Sequence, residues 1–225
     1  MRALGHPWAF AGGVLVVVVV LASPLTSAAA ELFSAHMIQH LLLIVIAAPL
    51  FVLSRAPAFQ QIPLVSMLTR PAIAWCVFVG VFLFWHWPAA FRWAAASEST
   101  RLLELASILL MACLFWSVAL AREGTRTLSY GAAALFVMTA AVATDLPGVV
   151  MVFSPRVICT MPGENALLWG LSPLEDQQIA GLLMWVPANF VFFGFATWLF
   201  GKWIGADDGH KPRNPFATPS EPVVP

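Results

Sequence analysis

Charged side chains are scarce in this sequence: they make up only 10% of its residues, against about a quarter in an ordinary soluble domain. The 11 basic and 11 acidic residues cancel, so the chain lacks the excess positive charge of a nucleic-acid-binding protein. Three cysteines and no CxxC motif indicate neither a disulfide framework nor a thiol metal-transfer motif. The sequence also has no nucleophile–base pairing and no phosphate-binding glycine loop, so we do not expect an enzyme.

Hydrophobic residues, in contrast, make up 60% of the chain, and the mean hydropathy is +0.86. A helix needs about 20 mainly apolar residues to cross the hydrocarbon core of a membrane. Runs of that kind cover residues 9–30, 34–54, 71–91, 102–121, 127–148 and 178–203. We therefore expect an all-α fold, a polytopic transmembrane bundle of six helices within residues 1–204. The proline-rich segment 205–225 carries mixed charges and is predicted to be a disordered cytoplasmic tail.

The first run is ambiguous, because Arg2, a valine-rich stretch and the small residues before Glu31 also resemble a cleavable signal peptide. We favour a retained helix; cleavage would leave five. Basic residues predict the orientation, since they concentrate on the cytoplasmic side. With the amino terminus inside, the inner segments hold Arg2, Arg55, Arg70, Arg122, Arg126, Lys202, Lys211 and Arg213, and the outer ones hold Arg92, Arg101 and Arg156. Both termini are therefore predicted to be cytoplasmic.

Histidines provide the first functional signal. His36 and His40 lie in the motif HMIQH, whose i, i+4 spacing puts both imidazoles on one helix face, one turn apart. His86 lies in FWHWP on the next run. At about 1.5 Å per residue, His40 and His86 lie roughly 21 and 22 Å from the inner ends of their helices. Since the two helices are antiparallel, the histidines share one depth, and a metal site is predicted there.

Other unusual side chains are expected in the same layer, just below the outer surface. Its predicted members are His36, Met37, His40, His86, Arg101, Glu104, Asp145, Gln177, Gln178 and Met184, with Met151, Cys159 and Met161 in the adjoining loop. Imidazole with thioether or thiolate suits Cu(I), while imidazole alone would also suit Zn(II) or Cu(II). Lipid or core packing is the alternative role for Met37 and Met184. We expect Arg101 and Glu104 to form an ion pair with each other or with Asp145, because an unpaired charge in a membrane is costly.

Several motifs resemble the CtaG-like family, the multi-helix cytochrome c oxidase assembly factors: HMIQHLLLIVIAAPLFVL, WHWP, LFW and LSPLEDQQIAGLLMWVP. The resemblance covers about Ser34 to Trp203. It implies a non-enzymatic role in maturing a haem–copper oxidase, by binding or delivering copper at the outer face of the bacterial plasma (inner) membrane. The partners implied are oxidase subunits, membrane lipids and an upstream copper donor. By motif, the resemblance assigns His36, His40, His86, Asp176, Gln177, Gln178 and Met184 to the site.

The fourth run departs from the family pattern. Members usually carry a second histidine pair there, but Arg101 and Leu105 occupy those positions, so at most three histidines can contribute. Two other functions stay open. A copper permease would need ligands through the membrane, which LLLIVIAAPLFVL after His40 does not supply. A haem-binding electron carrier could use His40 and His86 as axial ligands.

Overall fold

A computed structural model describes residues 6–54, 67–121, 126–159, 161 and 165–208. These residues form helices and connecting turns and contain no strand, which confirms the all-α prediction. In chain order the elements are α1 (Pro7–Ala22), α2 (Pro24–Glu31), α3 (Phe33–Leu41), a π-helix (Leu42–Ala47), α4 (Ala48–Ser54), α5 (Pro71–Trp85), α6 (Pro88–Ala95), α7 (Glu98–Ala119), α8 (Tyr130–Phe153), a 3₁₀-helix (Asn165–Trp169) and α9 (Pro173–Asp208).

The predicted polytopic bundle is confirmed as well. Four segments in the described ranges are long and apolar enough to cross a membrane: Phe33–Ser54, Glu98–Ala119, Tyr130–Phe153 and Pro173–Gly205. Two bent pairs bring the number to six if each is one span: α1 with α2, at 50°, and α5 with α6, at 72°. The helix α9 continues to Asp208, four residues into the predicted tail. The rest of that tail lies outside the described residues.

Prolines explain both bends, because proline has no N–H to donate to the carbonyl four residues earlier. Pro24 leaves the Val20 carbonyl without its helical donor, and Thr26 Oγ1 and Gln39 Nε2 donate to it instead, at 3.0 and 2.6 Å. Pro88 does the same to Phe84, whose carbonyl accepts from the Trp87 amide at 3.1 Å. The helix predicted over 71–91 therefore ends at Trp85 and restarts at Pro88.

A wide turn follows the histidine motif in the second run. The Ala48 amide donates to the Leu43 carbonyl, five residues back, which is the π-helical pattern. Pro49 would have to supply the next such bond, to Ile44, and cannot. The Trp116 indole from α7 donates to the Ile44 carbonyl at 2.7 Å. This side chain thus fixes the π-helix against α7, directly below His40.

The remaining frame depends on close helix packing. Gly148 on α8 faces Gly181 on α9, and a Cβ atom on Gly181 would lie 2.7 Å from the Gly148 carbonyl oxygen. Small residues allow such backbone approach between transmembrane helices. The helix α9 also packs against α3, and α5 packs against α7. Within this frame the rings of His40, on α3, and His86, at the end of α5, lie 5.5 Å apart between centroids.

Candidate metal centre

The two histidines of HMIQH lie on α3, where each is only 2% exposed and their ring centroids are 4.5 Å apart. The start of this helix is fixed by Asp176 on α9. The Asp176 carboxylate accepts from the amides of Phe33 and Ser34, at 2.7 and 3.0 Å, and from the Ser34 hydroxyl at 2.5 Å. A carboxylate capping a helix amino terminus satisfies its free N–H groups and complements its dipole. The DQQ motif therefore helps to orient His36 and His40.

Glu104 on α7 lies against both histidines and is fully buried. His36 Nε2 is 3.3 Å from each of its carboxylate oxygens, and His40 Nε2 is 3.5 Å from Oε1. Each of the three side chains offers one ligand atom, and these atoms lie within 4.8 Å of one another. The centre is thus a carboxylate and two imidazoles from two helices.

The prediction that Arg101 and Glu104 form an ion pair with each other or with Asp145 is wrong. Arg101 donates from its guanidinium to Gln39 Oε1 at 2.8 Å, while Glu104 turns toward the histidines. Asp145 does not pair with either one; its carboxylate accepts from Asn189 Nδ2 at 3.1 and 3.0 Å. Three-residue spacing puts Arg101 and Glu104 near each other on the helix. The long arginine side chain instead reaches the buried amide of Gln39 on α3.

His86 caps the carboxyl end of α5, beside His40, at 5.5 Å between ring centroids. Its Nδ1 lies 2.7 Å from the Phe82 carbonyl oxygen, which can only accept, so Nδ1 carries the proton. The neutral ring therefore has a free electron pair on Nε2. This nitrogen is buried and has no hydrogen-bond partner among the described residues. His86 lies next to the group of His36, His40 and Glu104 but outside it.

Unpartnered polar atoms are concentrated in this region. Among the described residues, five buried atoms in and next to the centre form no hydrogen bond. They are His36 Nδ1, both ring nitrogens of His40, His86 Nε2 and Glu104 Oε2. A cavity of about 20 Å³ lies beside them, lined by Met37, His40, His86, Thr144 and Met184 among apolar side chains. About that volume is needed for one water-sized particle.

The other predicted residues have supporting positions. Gln177 is buried and holds the loop after α8: its Oε1 accepts from the Ile158 and Cys159 amides, and its Nε2 donates to the Met151 and Arg156 carbonyls. Gln178 is half-buried, and Met151, Cys159 and Met161 are buried. Burial raises the pKa of the Cys159 thiol to about 11, although the nearby charge of Arg92 opposes the shift. The thiol is therefore protonated at neutral pH.

Sequence reasoning missed the role of three polar side chains. Gln39 joins Arg101 to the break at Val20, Asn189 satisfies Asp145, and Glu104 contacts the histidines. Each is a polar residue inside an apolar run, which in a membrane is a functional or structural signal in itself. Gln39 even stands within HMIQH. Their partners could not be found from depth alone, because depth does not specify the direction in which a side chain points.

The fold and the centre define a class: a polytopic helical membrane protein with a buried histidine–carboxylate cluster near one end of its bundle. Residues 2–206 match the model of the cytochrome c oxidase caa3 assembly factor family, so the chain belongs to that family. The resemblance seen in the sequence motifs is thereby confirmed. No curated protein and no solved structure matches the chain.

Proposed function

We propose that this family member helps to assemble a cytochrome c oxidase by binding copper at His36, His40 and His86 and delivering it to the oxidase. The observation that carries the proposal is the group of buried ring nitrogens without hydrogen-bond partners: His40 and His86 line one small cavity, and His36 lies beside His40, at 4.5 Å between ring centroids. Leaving a buried polar group unsatisfied costs about 1–3 kcal/mol. A bound metal ion would satisfy several of these groups at once.

His86 gives the clearest support for a ligand role. Metal-binding histidines generally donate their second ring N–H to a carbonyl or carboxylate, which fixes the tautomer and the ring orientation. His86 does so through Nδ1 to the Phe82 carbonyl, and Phe82 also stacks on its ring, at 4.1 Å between centroids. Its Nε2 is thus held with the electron pair available to an ion.

The oxidation state that we propose for this copper is Cu(I). Thioether sulfur prefers that ion, and Met37 and Met184 line the cavity together with His40 and His86. A cavity of about 20 Å³ can accept an ion but has no space for a porphyrin. The haem-carrier alternative is therefore disfavoured, and the sulfur side chains favour copper.

We further propose that the centre faces the outer side of a bacterial plasma (inner) membrane, with both termini cytoplasmic. The distribution of basic residues supports this orientation. An upstream copper donor and the oxidase subunits would then meet the protein on that side. The role is non-enzymatic, in keeping with a family of assembly factors.

The test is the copper content of the purified protein with His36, His40 and His86 all changed to alanine. We expect copper per chain to fall below about one-tenth of the wild-type value, since all nitrogen ligands are removed. The matched control is His6→Ala, because His6 is exposed and precedes α1. Single changes of each histidine to glutamine test the same point with less disturbance of packing. Unchanged stoichiometry in the triple variant would refute the site and leave the family membership intact.

A further inference from the structure

We propose that Glu104, His36 and His40 form a second set of metal ligands, which takes a divalent transition-metal ion such as Cu(II). This set shares His36 and His40 with the copper site proposed above, and of these two only His40 also lines the sulfur-lined cavity. The inference rests on the proposed function insofar as the metal is copper. Glu104 is not among the residues that the family motifs assign to the site. It follows from the geometry of the cluster.

The distances fit ligands around one ion. Metal–nitrogen and metal–oxygen bonds of about 2.0–2.1 Å in a tetrahedral site separate neighbouring ligand atoms by roughly 3.3–3.4 Å. The separations observed are 3.3 Å from His36 Nε2 to each Glu104 oxygen and 3.5 Å from His40 Nε2 to Oε1. Two edges of such a tetrahedron, the geometry that Zn(II) prefers, are therefore already formed by the side chains, and all three ligand atoms lie within 4.8 Å of one another.

The same distances fall within ion-pair range but are long for an ion pair without metal. Charge-assisted N–H···O bonds to carboxylates are shorter, about 2.7–2.9 Å. Arg101, the nearest guanidinium along the helix, donates to Gln39, and Glu104 Oε2 forms no hydrogen bond. A carboxylate that is fully buried needs a compensating cation, since an isolated buried charge is strongly unfavourable. An ion held between Glu104, His36 and His40 would provide that compensation.

Two donor sets thus lie on either side of His40. One contains nitrogen and carboxylate oxygen, from His36, His40 and Glu104. The other contains nitrogen and sulfur, with Met37, His40, His86 and Met184 around the cavity. Carboxylate favours divalent ions, and thioether favours Cu(I). The cluster can therefore hold copper in either oxidation state, with Glu104 responsible for the divalent one.

The experiment compares the full-length wild-type protein with Glu104→Gln in detergent, by competition titration with Cu(II), Zn(II) and Cu(I). Glutamine keeps the size of the side chain and removes the charge. The matched control is Glu98→Gln, which changes an exposed carboxylate in the first turn of the same helix. Glu104→Asp, which keeps the charge on a shorter side chain, serves as the second variant. Size-exclusion chromatography establishes that each protein is folded.

We expect Glu104→Gln to weaken Cu(II) and Zn(II) binding by about 100-fold, the upper end of losses seen when groups that support a metal ligand are removed. Cu(I) affinity should change less than about threefold, and the Cu(II) EPR spectrum should change only in the Glu104 variants. If Glu104→Gln is not folded, an intermediate loss of divalent affinity with Glu104→Asp supports the assignment.

Three results separate this inference from the proposed function. Undiminished Cu(II) and Zn(II) binding in Glu104→Gln would overturn the Glu104 assignment and leave the histidine copper site standing. An equal loss of all three ions would also overturn it, because Glu104 would then be a positioning residue. Zn(II) binding that depends on Glu104 in a wild-type protein without copper affinity would support the assignment while refuting the copper proposal.

Discussion

Two buried clusters occupy neighbouring levels of the bundle. They differ in whether the polar atoms of each cluster have hydrogen-bond partners within the protein. The aromatic core consists of Phe78, Phe115, Trp116, Phe136 and Phe192, from α5, α7, α8 and α9. Its rings stack, with Phe78 and Phe115 at 4.3 Å between centroids, and the Trp116 N–H has the Ile44 carbonyl as acceptor. The histidine layer consists of His36, His40, His86 and Glu104, and each of them has at least one polar atom without a hydrogen bond.

This contrast separates stability from binding. Every unsatisfied group is expensive inside a membrane, where water cannot compensate. The aromatic core is complete without any ligand, so it should contribute to stability and little to metal affinity. The histidine layer leaves polar atoms without protein partners, so with the proposed ion bound there its changes should alter metal affinity more than stability.

The largest stability effect is expected for Phe115→Ala. Phe115 is fully buried and contacts four other aromatic rings, so its truncation leaves a cavity. The loss should be about 3–5 kcal/mol in the free energy of unfolding, the range for buried aromatic truncations, measured by SDS titration in mixed micelles. Copper affinity of the folded fraction should stay near the wild-type value.

The control for this change is Phe190→Ala, because Phe190 is 78% exposed on α9 and touches no core ring in the described aromatic contacts. It should lose far less stability. If Phe115→Ala abolished copper binding in protein that remains folded, the two clusters would not be separable.

The sequence predicts the membrane-spanning helices and the HMIQH pair because hydropathy and i, i+4 spacing are local properties. It also predicts a common depth for His40 and His86, whose rings prove to be 5.5 Å apart. The rotation of each helix about its axis is not local. It depends on Asp176 capping α3, on close packing at Gly181 and on the Trp116 contact to the π-helix.

For this reason the partners of Glu104 are the two histidines and not the predicted Arg101 or Asp145. Depth arithmetic places Arg101, Glu104 and Asp145 at similar heights, and charge pairing then suggests an ion pair. The π-helix and the break at Pro88 could not be derived from residue spacing, yet both adjoin the centre: one follows His40 and the other follows His86. Irregular backbone at these two positions decides which side chains meet.

A smaller effect is expected for Trp116→Phe, which keeps an aromatic ring in the core and removes its N–H donor. The Ile44 carbonyl would lose its partner, and Pro49 cannot replace it. The cost should be about 1–3 kcal/mol in the free energy of unfolding, as for other unsatisfied buried acceptors. The same SDS titration measures it, with Trp198→Phe as control since Trp198 is exposed. Equal losses in the two variants would contradict a specific role for this hydrogen bond.

The smallest effect on stability and copper binding is expected at Cys159. Changing it tests whether the loop after α8 contributes a thiolate ligand to the histidine layer. With its pKa raised to about 11, the thiol is about 1% ionised at pH 9, against about half for an ordinary cysteine of pKa 9.0. Its contribution to stability is present below pH 9 and is lost as the pH rises toward 11, because the unfolded chain ionises first. Iodoacetamide labelling at pH 9, followed by mass spectrometry, should therefore be about 50-fold slower at Cys159 in the folded than in the denatured protein. Cys159→Ser should leave copper stoichiometry unchanged, and a loss of copper there would add a sulfur ligand from the loop to the histidine layer.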